Sequence, residues 1–253
     1  RRGTSSPADI VAGENGAIWV LNRSDGDGGQ IRSTNWDDED LGDFGSGFVW
    51  PVQMIAGPDD SLVISDEGNH TISFWSKDGS KIKSWGEEGS EDGQLNRPSG
   101  IVFDADGNLL IVESMNHRVQ KFTADGEYIS SFGEFGDGDG QFDMPWGIDI
   151  DSDDGTIVVS DWRNDRVQKF TADGEYILQF GTSGSGRGEL CRPAGVSVDK
   201  HGDIYVADRG NHRIQLFSQS GNFVDVFTGN AGLSKSGRIY ITANPKVLRS
   251  REL

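Results

Sequence analysis

A stretch of twelve residues occurs twice in this chain, and the copy predicts an array of one repeated unit. The sequence RVQKFTADGEYI fills positions 118–129 and returns unchanged at positions 166–177. A copy of this length does not arise by chance, and self-similarity at a fixed spacing, here 48 residues, is typical of repeat architectures. We therefore expect the fold to follow from the repeat and most conspicuous residues to serve the scaffold.

Prolines mark the start of each unit, and short strands follow each of them. The spacings between successive prolines of this set are 44, 47, 47 and 48 residues. Short apolar runs alternate with turns rich in Asp and Gly, which join antiparallel strands because these residues accept positive φ. A weaker start without a proline lies near Ala231. The five clear starts are Pro7, Pro51, Pro98, Pro145 and Pro193.

Units of about 45 residues with four strands each are typical of β-propeller blades. We expect residues 1–253 to form one all-β domain, a six-bladed β-propeller of four-stranded antiparallel blades. The last blade is expected to be incomplete, because residues 236–241 match a second strand and no fourth strand follows. The expected third strands are 118–122, 166–170 and 213–217, and the expected fourth strands are 128–132, 176–180 and 223–227.

Short motifs in the units resemble the NHL repeat family. They are Pro-x-Gly-Ile, Asp-x-Asp-Gly-Asn, Val-x-Asp, the triplet that reads Asn116-His117-Arg118 in one unit, and Lys-Phe. The likeness is strong over residues 50–227 and departs at both ends, where Asn22 and Ala243 replace an acid. The resemblance implies a propeller fold. It implies no single function, because NHL propellers include protein-binding modules, RNA-binding modules and lyases.

The charge of the chain disfavours several classes of partner. Lys and Arg number 23 against 41 Asp and Glu, which gives a formal net charge of -18. Nucleic acid binding needs clustered cations, and a membrane span needs a long apolar run that this sequence lacks. We expect no nucleic acid partner, no membrane insertion and a monomer. Because the chain begins at Arg1 rather than Met, we expect a processed or partial form, which favours a secreted or periplasmic location.

An acid ends the second strand of a unit, and an arginine opens the third strand five residues later. Repetition in register favours a structural ion pair over a reactive group, because a scaffold needs copies and an active site needs asymmetry. The second unit has Asp66 but Thr71, so we expect that unit to lack the pair and to be less constrained. The three expected pairs are Glu113 with Arg118, Asp161 with Arg166, and Asp208 with Arg213.

The sequence points to no metal site and no catalytic residue. Three histidines, His70, His117 and His212, share one repeat position, and equivalent positions on different blades are too far apart to ligate one ion. The acidic loop that begins at Asp149 fails the EF-hand spacing. Cys191 has no evident partner histidine. We therefore expect no cofactor, and Ca²⁺ bound by the plentiful carboxylates remains an alternative.

Variation between repeats is the best guide to a ligand site, because the fold does not require it. The loop that enters the first strand and the loop between strands two and three emerge at the same side of a blade. At these loops the units differ most, and Trp and Arg, the usual anchors of binding surfaces, are frequent there. The predicted ligand-binding residues are Trp146, Trp162, Arg163, Arg209, Arg23, Trp50 and Met115.

These observations predict a non-catalytic binding or scaffold propeller that presents Trp and Arg side chains to a protein or small-molecule ligand. The alternative is a lyase or hydrolase at the mouth of the propeller channel, with or without a divalent metal ion. A channel site with three converging side-chain ligands would favour the enzyme. A Trp- and Arg-lined surface without them would favour the binding module.

Overall fold

The structure is a computed structural model that describes residues 7–13, 16–23, 29–37 and 39–228. Within these residues the regular elements are β-strands and two 3₁₀ helices, Pro58–Asp60 and Arg209–Asn211. Strands that are consecutive in sequence pair antiparallel into five four-stranded sheets. No helix in the described ranges combines the length and apolar character that crossing a bilayer requires.

The strands of each sheet follow one another along the chain, which is the strand order of a propeller blade. The first three sheets contain β1 (Pro7–Ala12), β2 (Ala17–Asn22), β3 (Gly29–Asn35), β4 (Asp40–Phe48); β5 (Pro51–Ala56), β6 (Ser61–Asp66), β7 (Thr71–Ser76), β8 (Lys81–Trp85); β9 (Pro98–Phe103), β10 (Leu109–Glu113), β11 (Arg118–Phe122) and β12 (Tyr128–Phe132). The other two contain β13 (Pro145–Ile150), β14 (Ile157–Asp161), β15 (Arg166–Phe170), β16 (Tyr176–Phe180); β19 (Pro193–Val198), β20 (Ile204–Asp208), β21 (Arg213–Phe217) and β22 (Phe223–Phe227). A small parallel sheet pairs β17 (Thr182–Ser183) with β18 (Glu189–Leu190).

The prediction of six blades is corrected to five in the part of the chain that the structure describes. The expected sixth unit near Ala231 lies outside the described residues. That prediction rested on one short strand match with no fourth strand, and a blade needs all four strands to complete its sheet. The strands themselves lie where the repeat places them, and the expected third and fourth strands agree with β11, β12, β15, β16, β21 and β22.

Contacts divide the chain into two compact units, Arg1–Ser131 and Phe132–Leu253. The second strands β6, β10, β14 and β20 are buried along their whole length, and β2 is buried over most of it. The fourth strand is mostly exposed in the first unit, as in β4 and β8. Burial thus decreases from the second strand of a blade to the fourth. The second strands are continuous apolar runs because both of their faces are covered.

Each unit has its own apolar packing. One cluster of the first unit gathers side chains from β1 to β7 around Leu21, Ile31 and Met54, and another surrounds Phe74, Leu109 and Phe122. One cluster of the second unit is formed by Val158, Val167, Phe180, Leu190, Ile204, Val206 and Phe217. Leu190 belongs to the linker before β19, so the linker is packed as part of the core and holds the start of that strand.

A buried carboxylate fastens the chain at the end of the second strand in the last three described blades. Glu113, Asp161 and Asp208 are fully buried, and each accepts a hydrogen bond of 2.7 to 2.8 Å from the Nε of the arginine five residues later. The arginines reach on to the linker that precedes their own blade. Arg166, for example, donates to the carbonyl oxygens of Gly138 and Gln141. These residues position the loops and are themselves committed to the scaffold.

The second blade is held by a different set of donors. Asp66 accepts backbone N–H groups from Val49, Trp50, Gly68 and Asn69, and the Asn69 side-chain amide donates to it as well. Within the described residues no cation lies within ion-pair distance of Asp66. The expected absence of the ion pair holds for this blade, and backbone amides take the place of the arginine; that the blade is less constrained stays a prediction.

Candidate ligand-binding site

An aromatic pair lies where the fourth blade turns from β14 to β15. Trp162 is on the turn after β14, and Trp146 is the second residue of β13. The two rings have centroids 6.4 Å apart and are tilted by 39°. The pairing of β13 with β14 shifts register between Pro145 and Ile148, and this bulge re-aims the side chains around Trp146. The structure thus brings two of the predicted residues together as one aromatic wall.

Arg163 follows Trp162 and extends into solvent. Its backbone N–H donates to the Asp143 carbonyl oxygen at 3.1 Å, which fixes the turn. Its guanidinium lies 3.8 Å from the Asp143 carboxylate, and its side chain is 57% exposed. A pair at this distance and exposure is weak, so the N–H donors of Arg163 remain accessible to a ligand.

Arg192 completes the wall from the neighbouring blade. It precedes Pro193 in the left-handed region, with φ of 51°, and its backbone N–H donates to the Asp165 Oδ1 at 2.7 Å. Its guanidinium lies over the Trp162 ring at 5.2 Å from the centroid. The other Asp165 oxygen accepts the Ser183 hydroxyl at 2.6 Å. The Asp165 carboxylate therefore orients the Arg192 backbone, and Trp162 orients the Arg192 side chain.

The same backbone position recurs in the first unit. Arg97 precedes Pro98 with φ of 54°, and its N–H donates to the His70 Nδ1 at 3.2 Å. His70 occupies the repeat position of Asp165, and both have positive φ. The histidine at this position is thus a connector between blades. Within the described residues no group of three His, Cys, Asp or Glu side chains is arranged to hold a metal ion.

A cavity of about 490 Å³ opens beside Trp162. The Cys191 N–H donates to Asp208 and its carbonyl oxygen accepts the Gly210 N–H, both at 2.8 Å. These bonds hold the turn that carries Arg209, which is exposed, against the cavity wall. The Cys191 thiol is free and partly exposed. The lining residues are Asp143, Trp162, Arg163, Asp165, Cys191 and Arg192.

The first unit has a smaller Trp and Arg pair. Arg23 is buried, its guanidinium lies 4.4 Å from the Trp50 ring centroid, and its Nε donates to the Pro51 carbonyl oxygen at 2.7 Å. Trp50 is 49% exposed. The Glu67 N–H donates to the Trp50 carbonyl oxygen, and its carboxylate lies 3.3 Å from Arg97. Burial raises the pKa of the Glu67 carboxyl, and Arg97 and Arg23 offset that rise only in part.

The remaining predicted residue, Met115, lies exposed on the turn after β10. In the first unit the structure pairs Arg23 with Trp50. In the second unit it pairs Trp146 with Trp162 and places Arg163 on the same turn. Binding by any of these residues remains a prediction.

Comparison with known proteins addresses the family of the repeats. The model of the NHL repeat matches residues 95–122, 142–170 and 190–217, which span the first three strands of the last three described blades. The chain carries NHL repeats. Each NHL repeat contains the acid and the arginine that fasten the linker, and each begins just before the residue that precedes the proline. None of the curated protein sequences compared with the chain matches it.

Solved structures with similar folds support the propeller assignment of the NHL chain. A streptogramin B lyase has a TM-score of 0.69 at 16% identity, over 89% of this chain and 69% of the lyase. A catalytically inactive virginiamycin B lyase from Staphylococcus aureus, determined with quinupristin, has 0.68 at 16%, over 91% and 72%. A nidogen/laminin complex has 0.67 at 14%, over 88% and 80%. At these identities the likeness shows the fold alone, an all-β propeller of four-stranded blades.

Sequence reasoning missed Asp143, Asp165, Cys191 and Arg192 as lining residues. The residue before the proline of each NHL repeat varies between the blades, as Arg97, Met144 and Arg192. That variation was the available signal. The stacking of Arg192 on Trp162 joins loops of two blades and has no signature in either loop alone.

Proposed function

We propose that this NHL propeller is a binding module whose ligand, a protein or a small molecule, docks at the Trp162 cavity. The observation that carries the proposal is the joining of Trp162, Arg163 and Arg192 around one open cavity. Aromatic and arginine side chains dominate the energetics of binding surfaces because they combine apolar area with directed donors.

The difference between repeats supports this assignment. Arg118 and Arg166 make the same ion pair in consecutive blades, as the scaffold demands. The turns just before them differ, because Ser114 and Met115 of one blade correspond to Trp162 and Arg163 of the next. A scaffold does not require Trp and Arg at one copy of a turn and Ser and Met at another, so the difference fits a role in recognition.

The comparisons support a binding role only in outline. The nidogen/laminin complex is an assembly of proteins that contains a similar fold, and the streptogramin lyase has a similar fold with a different role. The alternative of a channel-mouth lyase or hydrolase remains a prediction. Three converging ligand side chains would favour it, and a group of that kind is absent from the residues that the structure describes.

The test is capture of partners on immobilised protein, from extracts of the source cells and from their exported fraction. We expect the double variant W162A/R163A to keep its circular dichroism spectrum and melting temperature and to lose a partner that the wild type retains. The matched control is W36A/R187A, which removes one exposed Trp and one exposed Arg elsewhere. Equal capture by wild type and W162A/R163A would place the binding surface elsewhere.

A further inference from the structure

We infer that the ligand of the Trp162 cavity presents a carboxylate beside an aromatic or apolar group, an inference that rests on the proposed binding function. The formal charges of the lining residues balance, with two arginines and two aspartates. The charge of the preferred ligand therefore depends on which lining side chains can still form hydrogen bonds with it. The two arginines keep most of their N–H donors, whereas both Asp165 oxygens already accept hydrogen bonds within the protein.

Both oxygens of the Asp165 carboxylate accept a hydrogen bond from the protein. One oxygen accepts the Arg192 backbone N–H at 2.7 Å and the other accepts the Ser183 hydroxyl at 2.6 Å. A cation that displaced the Arg192 bond would release the backbone that positions the cavity wall. Asp165 therefore serves the scaffold.

The arginine side chains are the opposite case. The guanidinium of Arg192 lies on the Trp162 ring, and within the described residues no carboxylate comes within ion-pair distance of it. Arg163 is mostly exposed and lies 3.8 Å from its nearest carboxylate, beyond hydrogen-bond distance. A guanidinium has five N–H donors in a planar fork that matches a carboxylate. Contact with the Trp162 ring restricts the Arg192 side chain, so less side-chain entropy is lost when an anion binds.

The size and walls of the cavity select the rest of the ligand. A volume of about 490 Å³ lies within the range of small-ligand pockets, about 300 to 1,000 Å³. The Trp162 ring, supported by Trp146, supplies an apolar face for a ring or a short apolar chain. The net charge of -18 opposes polyanions, whereas a single carboxylate meets mainly the local arginines. A free carboxylic acid and an acidic residue of a peptide share this chemistry.

The experiment uses four probes and isothermal titration calorimetry on the full chain. The free-acid arm compares 3-phenylpropionate with 3-phenylpropionamide, and the peptide arm compares acetyl-Phe-Glu-amide with acetyl-Phe-Gln-amide. In at least one arm, we expect the carboxylate to bind at least tenfold more tightly than its amide, and the arm that binds identifies the source. The Nε–H resonances of ¹⁵N-labelled arginines should shift with the same probe.

Three variants locate the effect. Arg192→Gln should abolish the preference for the carboxylate. Arg192→Lys keeps the charge but loses the stacked planar fork, so we expect it to lose about tenfold in affinity. Arg187→Gln removes one exposed positive charge outside the cavity lining and should bind as the wild type does.

Two results would overturn the inference, and they have different consequences. Equal binding of acids and amides, unchanged in Arg192→Gln, would leave the cavity as a binding site for a neutral ligand. Failure of all four probes to bind would reject the carboxylate ligand. If capture by W162A/R163A were also unchanged, the proposed binding site would fail with it.

Discussion

From the second blade to the fifth, a single buried carboxylate lies at the end of the second strand and holds the neighbouring backbone through its hydrogen bonds. Asp161 is fully buried and receives donors from the Asp143 N–H, the Asn164 amide and Arg166. Burying a charge is costly unless it is paired and hydrogen-bonded. The carboxylate therefore holds these groups in one arrangement, and Asp143, a wall residue of the cavity, is placed by it.

The duplicated segment allows this role to be measured with an internal control. Arg118 and Arg166 have identical downstream sequences, but Arg166 donates to three linker carbonyl oxygens and Arg118 to two. Removing one partner of a buried ion pair costs about 3–5 kcal/mol, so we expect Arg166→Gln to lower the free energy of unfolding by about that amount. Arg118→Gln should cost about 1 kcal/mol less, the value of one hydrogen bond. Urea denaturation measures both, and equal losses would show that surroundings do not distinguish the copies.

At the scale of elements, close contact between neighbouring strands sets how the cavity wall is built. Gly147 of β13 approaches β19 so closely that a Cβ on it would lie 2.4 Å from the Ala194 carbonyl oxygen. Its neighbour in sequence is Trp146. Gly195 has the same repeat position one blade later, where the nearest described atom to such a Cβ is the Ala207 Cβ at 3.9 Å. Two glycines that look equivalent in the repeat therefore have different roles.

Paired substitutions test this difference. Gly147→Ala must push β13 away from β19, because the obstacle is backbone, and overpacking of this kind costs about 1–3 kcal/mol. We expect a lower melting temperature and weaker binding at the cavity, since Trp146 moves with β13. Gly195→Ala should change stability by less than about 0.5 kcal/mol. Similar losses in both variants, measured by calorimetry, would contradict the close-contact account.

Strand positions could be predicted from the sequence because the same pattern of strands and turns recurs in each repeat. The Arg118, Arg166 and Arg213 starts recur with the same turn signals, and β11, β15 and β21 begin at those residues. The cavity could be predicted only in part. Trp162 and Arg163 differ visibly from Ser114 and Met115 of the preceding repeat. Arg192 belongs to the site because it contacts the Trp162 ring of another blade, a contact that the sequence does not reveal. Contacts between loops distant in sequence leave no periodic trace.

The whole molecule carries a large negative net charge, which acts against folding. Acidic residues exceed basic ones by 18, and like charges on a compact body repel one another and destabilise it. The ion pairs of the blades are local and fully or largely buried, so salt screens them less than it screens surface repulsion. The balance predicts that added salt stabilises this protein.

We expect the melting temperature to rise between 10 mM and 500 mM NaCl at pH 7. Screening that restores about 1 kcal/mol corresponds to about 2–4 °C for a protein of this size. The control is the same titration at the isoelectric point, where net repulsion vanishes and the rise should disappear. A melting temperature that falls with salt at pH 7 would mean that screened ion pairs outweigh the repulsion.

The residue before each proline has a consequence for how such a protein can change. In two blades the backbone of this residue is fixed by an N–H bond to a side chain of the preceding blade, from Arg97 to His70 and from Arg192 to Asp165. The side chain itself takes no part in that bond. The side chain at this position can therefore be substituted, in evolution or by design, without breaking the backbone hydrogen bond that holds the loop. A change of ligand preference at one blade would cost the fold little stability.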